Sequence, residues 1–293
     1  MGRLRKAGMM ESVNRRQLFA SLAAGSLALQ AKKLKKIGVQ LYTLRSVIDA
    51  NPKVIFDQLQ GAGYGEVEAV RGNLPKIWDA LKASKLKPVS LHIDTRLFTV
   101  EQDKLGAALD DAKLKGFQYV VCPYIAPADR GGVDVIKKLA DTLNKAGAKC
   151  KAAGTQLCYH NHAFEFEPVP GGKGNLLDVL MESTDPALVG LEFDIMWAAV
   201  GGMDPINVLN KYKGRVPLLH VKDLGPNITV RYNEKVPKEA FKEAGAGVLE
   251  LPKILKAASE TGTKHFFVEQ DQTPGDPMAS LKQSIAYLKK LDL

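Results

Sequence analysis

Eight short β-rich runs, each separated from the next by a stretch with helical periodicity, constrain the fold of this chain more than any other feature. The runs cover residues 37–43, 65–70, 88–94, 117–123, 155–162, 189–195, 216–223 and 265–271. Apolar strands that alternate with amphipathic helices indicate βαβ units and a parallel sheet. Eight such units in roughly 250 residues predict the α/β class and a single (β/α)8 TIM barrel over residues 36–293.

A doubly wound parallel sheet is the competing arrangement for the same alternation. That fold normally carries a glycine-rich nucleotide turn after its first strand, and residues 40–46 (QLYTLRS) contain no glycine. No Pro- or Ser-rich linker interrupts the units, so the sequence favours one barrel. The connection over residues 224–247 is longer than the others, and it is expected to form either a lid over one barrel mouth or a solvated excursion.

The positive charge of the chain is concentrated at its amino terminus. The net charge is +9, and the first 36 residues hold nine Lys or Arg and one acid, which leaves +1 for the rest. Residues 14–19 (NRRQLF) and the short apolar run 20–29 resemble a twin-arginine (Tat) export signal. We therefore expect residues 1–31 to be a signal peptide and lead segment, removed or disordered, with cleavage after Ala28; an ordinary basic tail is the alternative.

This signal predicts a periplasmic or otherwise exported protein that uses the Tat export machinery. The apolar run is shorter than the roughly 20 residues of a transmembrane helix, so no stable membrane span is expected after processing. Because the barrel is nearly neutral, nucleic acid is not an expected partner. Cys122, Cys150 and Cys158 show no CxxC spacing, which argues against a disulfide framework or a thiolate zinc site.

Polar residues collect at the carboxyl ends of five predicted strands. In a parallel barrel these ends form the active mouth, so the side chains are expected to converge there. Four of the five histidines belong to this set, whereas His265 begins a strand and would lie at the opposite end. The set comprises His92, Asp94, His160, His162, Glu165, Glu192, Asp194, His220, Lys222, Asp223, Glu269 and Asp271.

Carboxylates and imidazoles on separate strands are suited to a divalent cation such as Mn²⁺, Mg²⁺, Co²⁺ or Zn²⁺. We predict Asp194, His220 and Glu269 as ligands, with a fourth from residues 159–165. A cation on the carbonyl and hydroxyl oxygens of a sugar would stabilise the enediolate formed when a neighbouring proton is removed. Lys222 is expected either to stabilise the developing oxyanion or to be a solvated lysine at the strand end.

Several segments together resemble the xylose-isomerase-like TIM barrels grouped as sugar phosphate isomerases/epimerases, with their inosose dehydratase-like and 3-keto-sugar-processing relatives. The resemblance covers nearly all of the chain after the signal. It implies a divalent metal at the ends of strands five to eight and proton transfer on carbohydrate or cyclitol carbons. The segments are IGVQLYTLR (37–45), YHNHAFEF (159–166), EFDIMWAAVGGMDP (192–205), LLHVKD (218–223), GAGVLELPKIL (245–255) and FFVEQD (266–271).

The resemblance places Asp194, His220 and Glu269 on the family's ligand positions, but strand five departs from it. The family commonly has a glutamate there, whereas this chain has His160 and His162, with Glu165 three residues further on. Glu165 is the predicted fourth ligand with His160 as the alternative, and His160 or His162 is the predicted acid or base alongside Glu269. This asymmetry favours elimination or hydration as an alternative to symmetrical epimerisation.

The predicted function is a metal-dependent isomerase or epimerase acting on a small-molecule carbohydrate or cyclitol. The alternatives are a keto-sugar or 3-keto-glycoside lyase or hydratase on the same site, and a noncatalytic periplasmic carbohydrate-binding barrel. An abasic-DNA endonuclease is disfavoured, because it needs more histidines and a basic surface. Tyr42, Arg45, His92 and Trp197 are the predicted substrate-binding residues, and a homo-oligomer is compatible with the sequence.

Overall fold

Eight parallel strands close into a barrel, which confirms the predicted fold. The chain is seen in a computed structural model that describes residue 34 and residues 36–292. The predicted signal and lead segment, residues 1–31, therefore lies outside the described residues. The barrel strands are β1 Gly38–Gln40, β2 Glu66–Val70, β3 Lys87–His92, β4 Tyr119–Cys122, β5 Gln156–His160, β6 Val189–Asp194, β7 Leu218–Val221 and β10 His265–Val268.

The strands follow one another around the barrel in the order β1-β10-β7-β6-β5-β4-β3-β2, and the two ends of this series pair with each other. Each neighbouring pair is parallel, with register partners such as His160 with Glu192 and Asp194 with His220. All carboxyl ends therefore lie at one mouth. Several predicted runs extend beyond the strands that form. The fifth run is predicted to reach residue 162, but β5 ends at His160 because its pairing with β6 stops there.

Helices surround the barrel between the strands. Several begin with proline in the first turn after an Asx cap, as at Pro52, where the Asn51 side chain accepts a hydrogen bond from Val54 N. The helices of the described residues are α1 Pro52–Ala62, α2 Leu74–Ala83, α3 Thr95–Thr99, α4 Leu105–Leu114, α5 Val133–Ala153, α6 Leu176–Ser183, α7 Ile195–Val200, α8 Pro205–Lys211, α9 Leu251–Thr261 and α10 Pro277–Leu288. None of these helices is both long and apolar enough to cross a bilayer.

The barrel interior divides into an apolar layer and a polar layer. The apolar layer consists of Val89, Tyr119, Val121, Cys158, Leu218 and Phe267. Gly38 makes room for this packing, because a Cβ atom there would lie 2.4 Å from the Phe267 ring. At the amino-terminal end His265 Nδ1 lies 2.7 Å from Glu66 Oε2. The remaining inward positions, toward the carboxyl ends, carry the polar side chains of the mouth.

The long connection after β7 begins and ends in two short strands outside the barrel, β8 Asp223–Leu224 and β9 Phe241–Lys242, which pair antiparallel. The sequence did not indicate this pairing. The Asp223 carboxylate accepts four backbone N–H groups, from Leu224, Gly245, Gly247 and Leu249, at 2.9 to 3.1 Å. One side chain therefore holds both ends of the connection together.

Asp223→Ala is expected to lower the free energy of unfolding by about 2–4 kcal/mol, because it removes the acceptor of several partly buried N–H groups. Asp276→Ala is the matched control, since that carboxylate caps α10 through Met278 N alone, and it is expected to cost about 1 kcal/mol. Urea unfolding measures both. Equal losses for the two variants would contradict the role assigned to Asp223.

Candidate metal and substrate site

Four side chains from four adjacent strands meet at the carboxyl end of the barrel. His160 ends β5, Asp194 ends β6, His220 lies on β7 and Glu269 follows β10. Each offers one ligand atom, and these atoms lie within 4.8 Å of one another. His220 Nδ1 is 2.8 Å from Glu269 Oε2 and 3.8 Å from Asp194 Oδ2. We call these four residues the mouth group.

Local structure turns one oxygen of Asp194 toward the mouth group. Asp194 is the N-cap of α7, and its Oδ1 accepts a hydrogen bond from Trp197 N at 2.9 Å. Its backbone N–H donates to Asn161 Oδ1, which ties the end of β6 to the loop after β5. Oδ2 makes no hydrogen bond of suitable geometry and lies 2.9 Å from the Lys222 ammonium. The cap therefore fixes the carboxylate and leaves one oxygen available as a ligand.

A second cluster lies one step deeper in the barrel, where Glu68, His92 and Glu192 surround the same His220. We call these four residues the inner group. His220 Nε2 lies 2.6 Å from Glu68 Oε1, and His92 Nε2 lies 2.7 Å from Glu192 Oε2. The two glutamates are fully buried. Buried carboxylates persist only when they are paired or hydrogen-bonded, and the two imidazoles supply that pairing.

The inner group lies behind both imidazoles of the mouth group. His220 presents Nδ1 to the mouth while Nε2 meets Glu68, and His160 presents Nε2 to Asp194 while Nδ1 lies 3.2 Å from Glu192 Oε2. A carboxylate on the far nitrogen fixes the orientation and tautomer of a ligand imidazole. His220 is thus a preoriented nitrogen donor backed by a carboxylate, whereas His160 Nδ1 lies near Glu192 without a hydrogen bond to it.

The two inner glutamates have opposite charge preferences. Burial, together with the neighbouring Glu68 carboxylate, raises the pKa of Glu192 well above its usual value. Burial also opposes ionisation of Glu68, but the His92 and His220 imidazoles outweigh it and hold the pKa of Glu68 well below its usual value. Two carboxylates in one pocket cannot both ionise readily. Glu192 is therefore the member of the pair on which protonation is favoured.

The ammonium of Lys222 is held by three carboxylates. Its Nζ lies 2.9 Å from Asp194 Oδ2, 2.7 Å from Glu269 Oε2 and 2.6 Å from Asp271 Oδ2. Burial disfavours the charged form, but these carboxylates outweigh it and raise the pKa of Lys222 well above its usual value. Lys222 thus neutralises part of the acidic charge of the mouth, and its predicted role on an oxyanion stays a prediction.

Glu165 does not join the mouth group. It lies in the 3-10 turn Phe164–Phe166, where its Oε1 accepts from Tyr159 OH at 2.6 Å and its Oε2 accepts from His162 N at 2.9 Å. Both oxygens are thereby engaged in holding the loop after β5. The donor that β5 contributes to the mouth group is His160, the alternative in the sequence analysis.

A cavity of about 1140 Å³ opens above the mouth group. His160, Glu269 and Asp271 line its floor, and the predicted substrate-binding residues Tyr42, His92 and Trp197 line it too. The Arg45 guanidinium stacks 4.2 Å over the Tyr42 ring, and its Nη2 donates to Asp271 O at 2.7 Å. Arg45 therefore orients Tyr42 rather than lining the cavity itself.

His162 lines the cavity beside the mouth group without belonging to it. Its ring lies 5.6 Å from that of Trp197 and 5.0 Å from that of Tyr124, and its Nδ1 has no hydrogen-bond partner. Burial and then the Lys222 cation lower the pKa of His162 well below its usual value. The imidazole is therefore neutral near pH 7.

Sequence reasoning gave Glu192 no role and overlooked Glu68. The available signal was the GEVEAV run, where Glu66 and Glu68 alternate with apolar residues in a strand expected to be buried. Tyr124 and Arg130 of the cavity were overlooked as well, because they lie in the loop after β4, where no periodicity indicates which side chains face the mouth.

Comparison with known proteins gives the following matches. A family model described as xylose isomerase-like TIM barrel matches residues 103–291. An inosose dehydratase of Clostridium beijerinckii is 30% identical over 172 residues, which cover 53% of this chain and 54% of the relative. The match thus spans about half the length of such curated relatives.

Solved structures share the whole barrel. A sugar phosphate isomerase/epimerase of Parabacteroides distasonis is 25% identical, with a TM-score of 0.70 over 90% of this chain and 96% of that one. The IOLI protein, solved with a zinc atom bound, is 16% identical, with a TM-score of 0.68 over 88% of this chain and 99% of that one. The similarity to the IOLI protein supports only the fold of this chain.

Glu165→Gln is expected to remove a pH dependence of stability. Burial raises the pKa of Glu165 to about 8, so between its usual value of 4.5 and about 8 the folded chain binds a proton that the unfolded chain has lost. The contribution of Glu165 to the free energy of unfolding is complete below pH 4.5. It falls as the pH rises from 4.5 to about 8, by up to about 1.4 kcal/mol per pH unit.

Urea unfolding at pH 5.5 and 7.5 measures this effect. The wild-type chain is expected to lose about 3 kcal/mol relative to Glu165→Gln between these values. Glu167→Gln changes an exposed glutamate in the same segment and serves as the control, with a pH dependence like that of the wild type. Parallel pH profiles for the wild type and Glu165→Gln would show that the buried carboxyl is ionised throughout.

Proposed function

This chain belongs to the xylose isomerase-like TIM barrel family, and from that premise we propose that it is a metal-dependent enzyme that moves a proton on a carbon next to the carbonyl of a carbohydrate or cyclitol. The observation that carries the proposal is the mouth group, four ligand atoms within 4.8 Å of one another, beside the neutral His162 on the cavity wall.

The residues present fit a divalent cation. His160 and His220 offer nitrogen, and Asp194 and Glu269 offer oxygen, with Lys222 Nζ 2.9 Å from Asp194 Oδ2 and 2.7 Å from Glu269 Oε2. A mixed set of two imidazoles and two carboxylates suits Zn²⁺, Mn²⁺ or Co²⁺, with Mg²⁺ a poorer match. When bound, such a cation polarises a substrate carbonyl and so acidifies the neighbouring C–H.

The side chains around the mouth group supply positioning and proton transfer. We assign His162 as the base that accepts the proton from carbon, because it is neutral, lines the cavity and is not a member of the mouth group. Trp197 and Tyr42 present aromatic surfaces to the same space, which suit the apolar face of a sugar ring. Glu68 holds the His220 imidazole in place through its contact with Nε2.

Elimination of water is the reaction outcome that we favour within this proposal. The proton passes from carbon to His162, the hydroxyl on the next carbon takes that proton and leaves as water, and the electron pair of the C–H bond forms the double bond. The relative at 30% identity is an inosose dehydratase. Delivery of a proton to the opposite face of the same carbon, by a second acid on that face, would give epimerisation instead.

Export remains part of the proposal. The basic charge before residue 37 and the NRRQLF segment support a periplasmic enzyme carried by the Tat pathway. Such an enzyme would meet unphosphorylated sugars. A noncatalytic carbohydrate-binding barrel is the contrasting outcome, distinguished by ligand binding without exchange of a carbon-bound proton.

Glu269→Gln is expected to lower activity by about a hundredfold or more while the fold is retained, because it removes charge at the mouth group without changing volume. The measurement follows deuterium from solvent into keto-sugars and cyclitols by NMR, with Mn²⁺ added, and circular dichroism checks the fold. Glu250→Gln alters an exposed glutamate before α9 and is expected to have wild-type activity. Near-normal exchange in Glu269→Gln would show that the reaction occurs elsewhere.

Glu68→Gln is expected to weaken binding of Co²⁺ or Zn²⁺ by about 10- to 100-fold, because it removes the carboxylate behind His220. Glu66→Gln is the matched control. Glu66 lies on the same strand and contacts another histidine, His265, but at the opposite end of the barrel. Competition with a chelator measures affinity directly, without turnover. Equal affinities for the two variants would argue that Glu68 does not orient a ligand.

A further inference from the structure

The cavity extends well beyond the space above the mouth group. The mouth group comes from β5, β6, β7 and β10, whereas much of the remaining lining follows β3 and β4 on the other side of the barrel. The whole volume of about 1140 Å³ exceeds the roughly 300–1,000 Å³ of pockets that bury drug-sized molecules. A single sugar ring on the mouth group would therefore leave much of it empty.

This second part of the cavity is lined by apolar side chains. Val100 follows α3, Ile125 lies after β4, and Val135, Ile136 and Leu139 lie on α5. We call these five residues the apolar annex. Val100 is 71% exposed and Val135 is 39% exposed, whereas Ile125, Ile136 and Leu139 are buried and belong to the hydrophobic core. Exposed apolar side chains that gather in a concave site indicate an apolar ligand.

Several polar groups beside the annex are already engaged within the chain. Thr95 Oγ1 donates to Tyr124 O at 2.6 Å, and the Arg96 guanidinium donates to Glu101 at 3.2 Å. Thr142 Oγ1 donates to a backbone carbonyl of α5. These side chains offer a ligand no strong unmet hydrogen bond. Apart from the charged Lys138 and Asp129, which line the same cavity, this part of the cavity offers a ligand shape and apolar area.

An ion pair fixes an aromatic wall between the annex and the mouth group. Arg130 donates to Glu234 Oε2 at 2.9 Å, and Glu234 belongs to the long connection after β7. The Arg130 guanidinium lies 5.1 Å from the centre of the Tyr124 ring. The His162 ring lies 5.0 Å from the same ring. The aromatic ring of Tyr124 thus stands between the assigned base and the annex.

We propose that the annex is a subsite for an apolar, ring-sized substituent of the substrate, so that the enzyme acts on glycosides or cyclitol ethers with such a substituent. This inference rests on the proposed function for the position of the sugar. The sugar lies on the mouth group beside His162, and the substituent extends past Tyr124 toward α5.

Binding of methyl and phenyl β-D-glucoside to the Mn²⁺-loaded full chain tests the subsite. Isothermal titration calorimetry is expected to give an affinity about tenfold or more higher for the phenyl glucoside, from burial of the ring. Val135→Asp is expected to reduce this phenyl-to-methyl ratio at least about fivefold. Aspartate is tolerated at the third residue of a helix, where it favours the helix dipole.

Val54→Asp is the matched control. Val54 is the third residue of α1, is 43% exposed and lies outside the cavity. It should retain the wild-type ratio. No preference for the phenyl glucoside in the wild type, whether both glucosides bind or neither, would overturn the subsite. A phenyl-to-methyl affinity ratio in Val135→Asp equal to that of the wild type would also overturn the subsite. If the sedimentation coefficient of Val135→Asp changes while this ratio does not, the annex is a contact between copies of the chain.

These results are independent of the proposed reaction, because the glucosides carry no carbonyl and undergo no turnover. Absence of proton exchange in the deuterium experiment, with a phenyl preference intact, would remove the proposed function and leave the subsite. Proton exchange without a phenyl preference would remove the subsite and leave the function.

Discussion

Burial of four ionisable side chains in the middle of the barrel is the constraint on which the rest of the mouth depends. Glu68 and Glu192 are completely buried, and a carboxylate in that position is strongly destabilising unless it is neutralised and hydrogen-bonded. His92 and His220 provide this compensation, and burial beside Glu68 raises the pKa of Glu192, which favours its neutral form. The Glu68 contact on Nε2 also turns His220 Nδ1 toward Asp194 and Glu269. The stability of the inner group and the geometry of the mouth group thus have one cause.

The fold was predictable because its signal is repeated. Eight strands and their helices each contribute a periodic pattern, and an error at one strand end, such as the extension of the fifth run to His162, does not alter the topology. The positions of Asp194, His220 and Glu269 followed from the same logic, since parallel strands bring their carboxyl ends together. Strand alternation then places each of these side chains on the inner face.

The remaining features of the site depend on contacts that have no period in the sequence. Whether His160 or Glu165 faces the mouth is decided by the turn after β5, in which Tyr159 OH and His162 N bind the Glu165 carboxylate. Glu68 lies within a strand rather than at its end, so a rule based on strand ends misses it. Asp223 closes the long connection through backbone N–H groups of residues far along the chain. Only the folded chain brings these partners together.

The mouth divides its tasks between rigid and variable parts of the chain. The mouth and inner groups lie on or directly after barrel strands, where ladder hydrogen bonds hold them in register, and such positions suit chemistry that needs fixed distances. The annex and its aromatic wall come from α3, α5 and the loops after β4 and β7, joined across the cavity by Arg130 and Glu234. Loops tolerate substitution far better than barrel strands do. A change in the substituent that the cavity accepts therefore requires changes only in the annex, while the mouth group and the proton transfer that we assign to it stay the same.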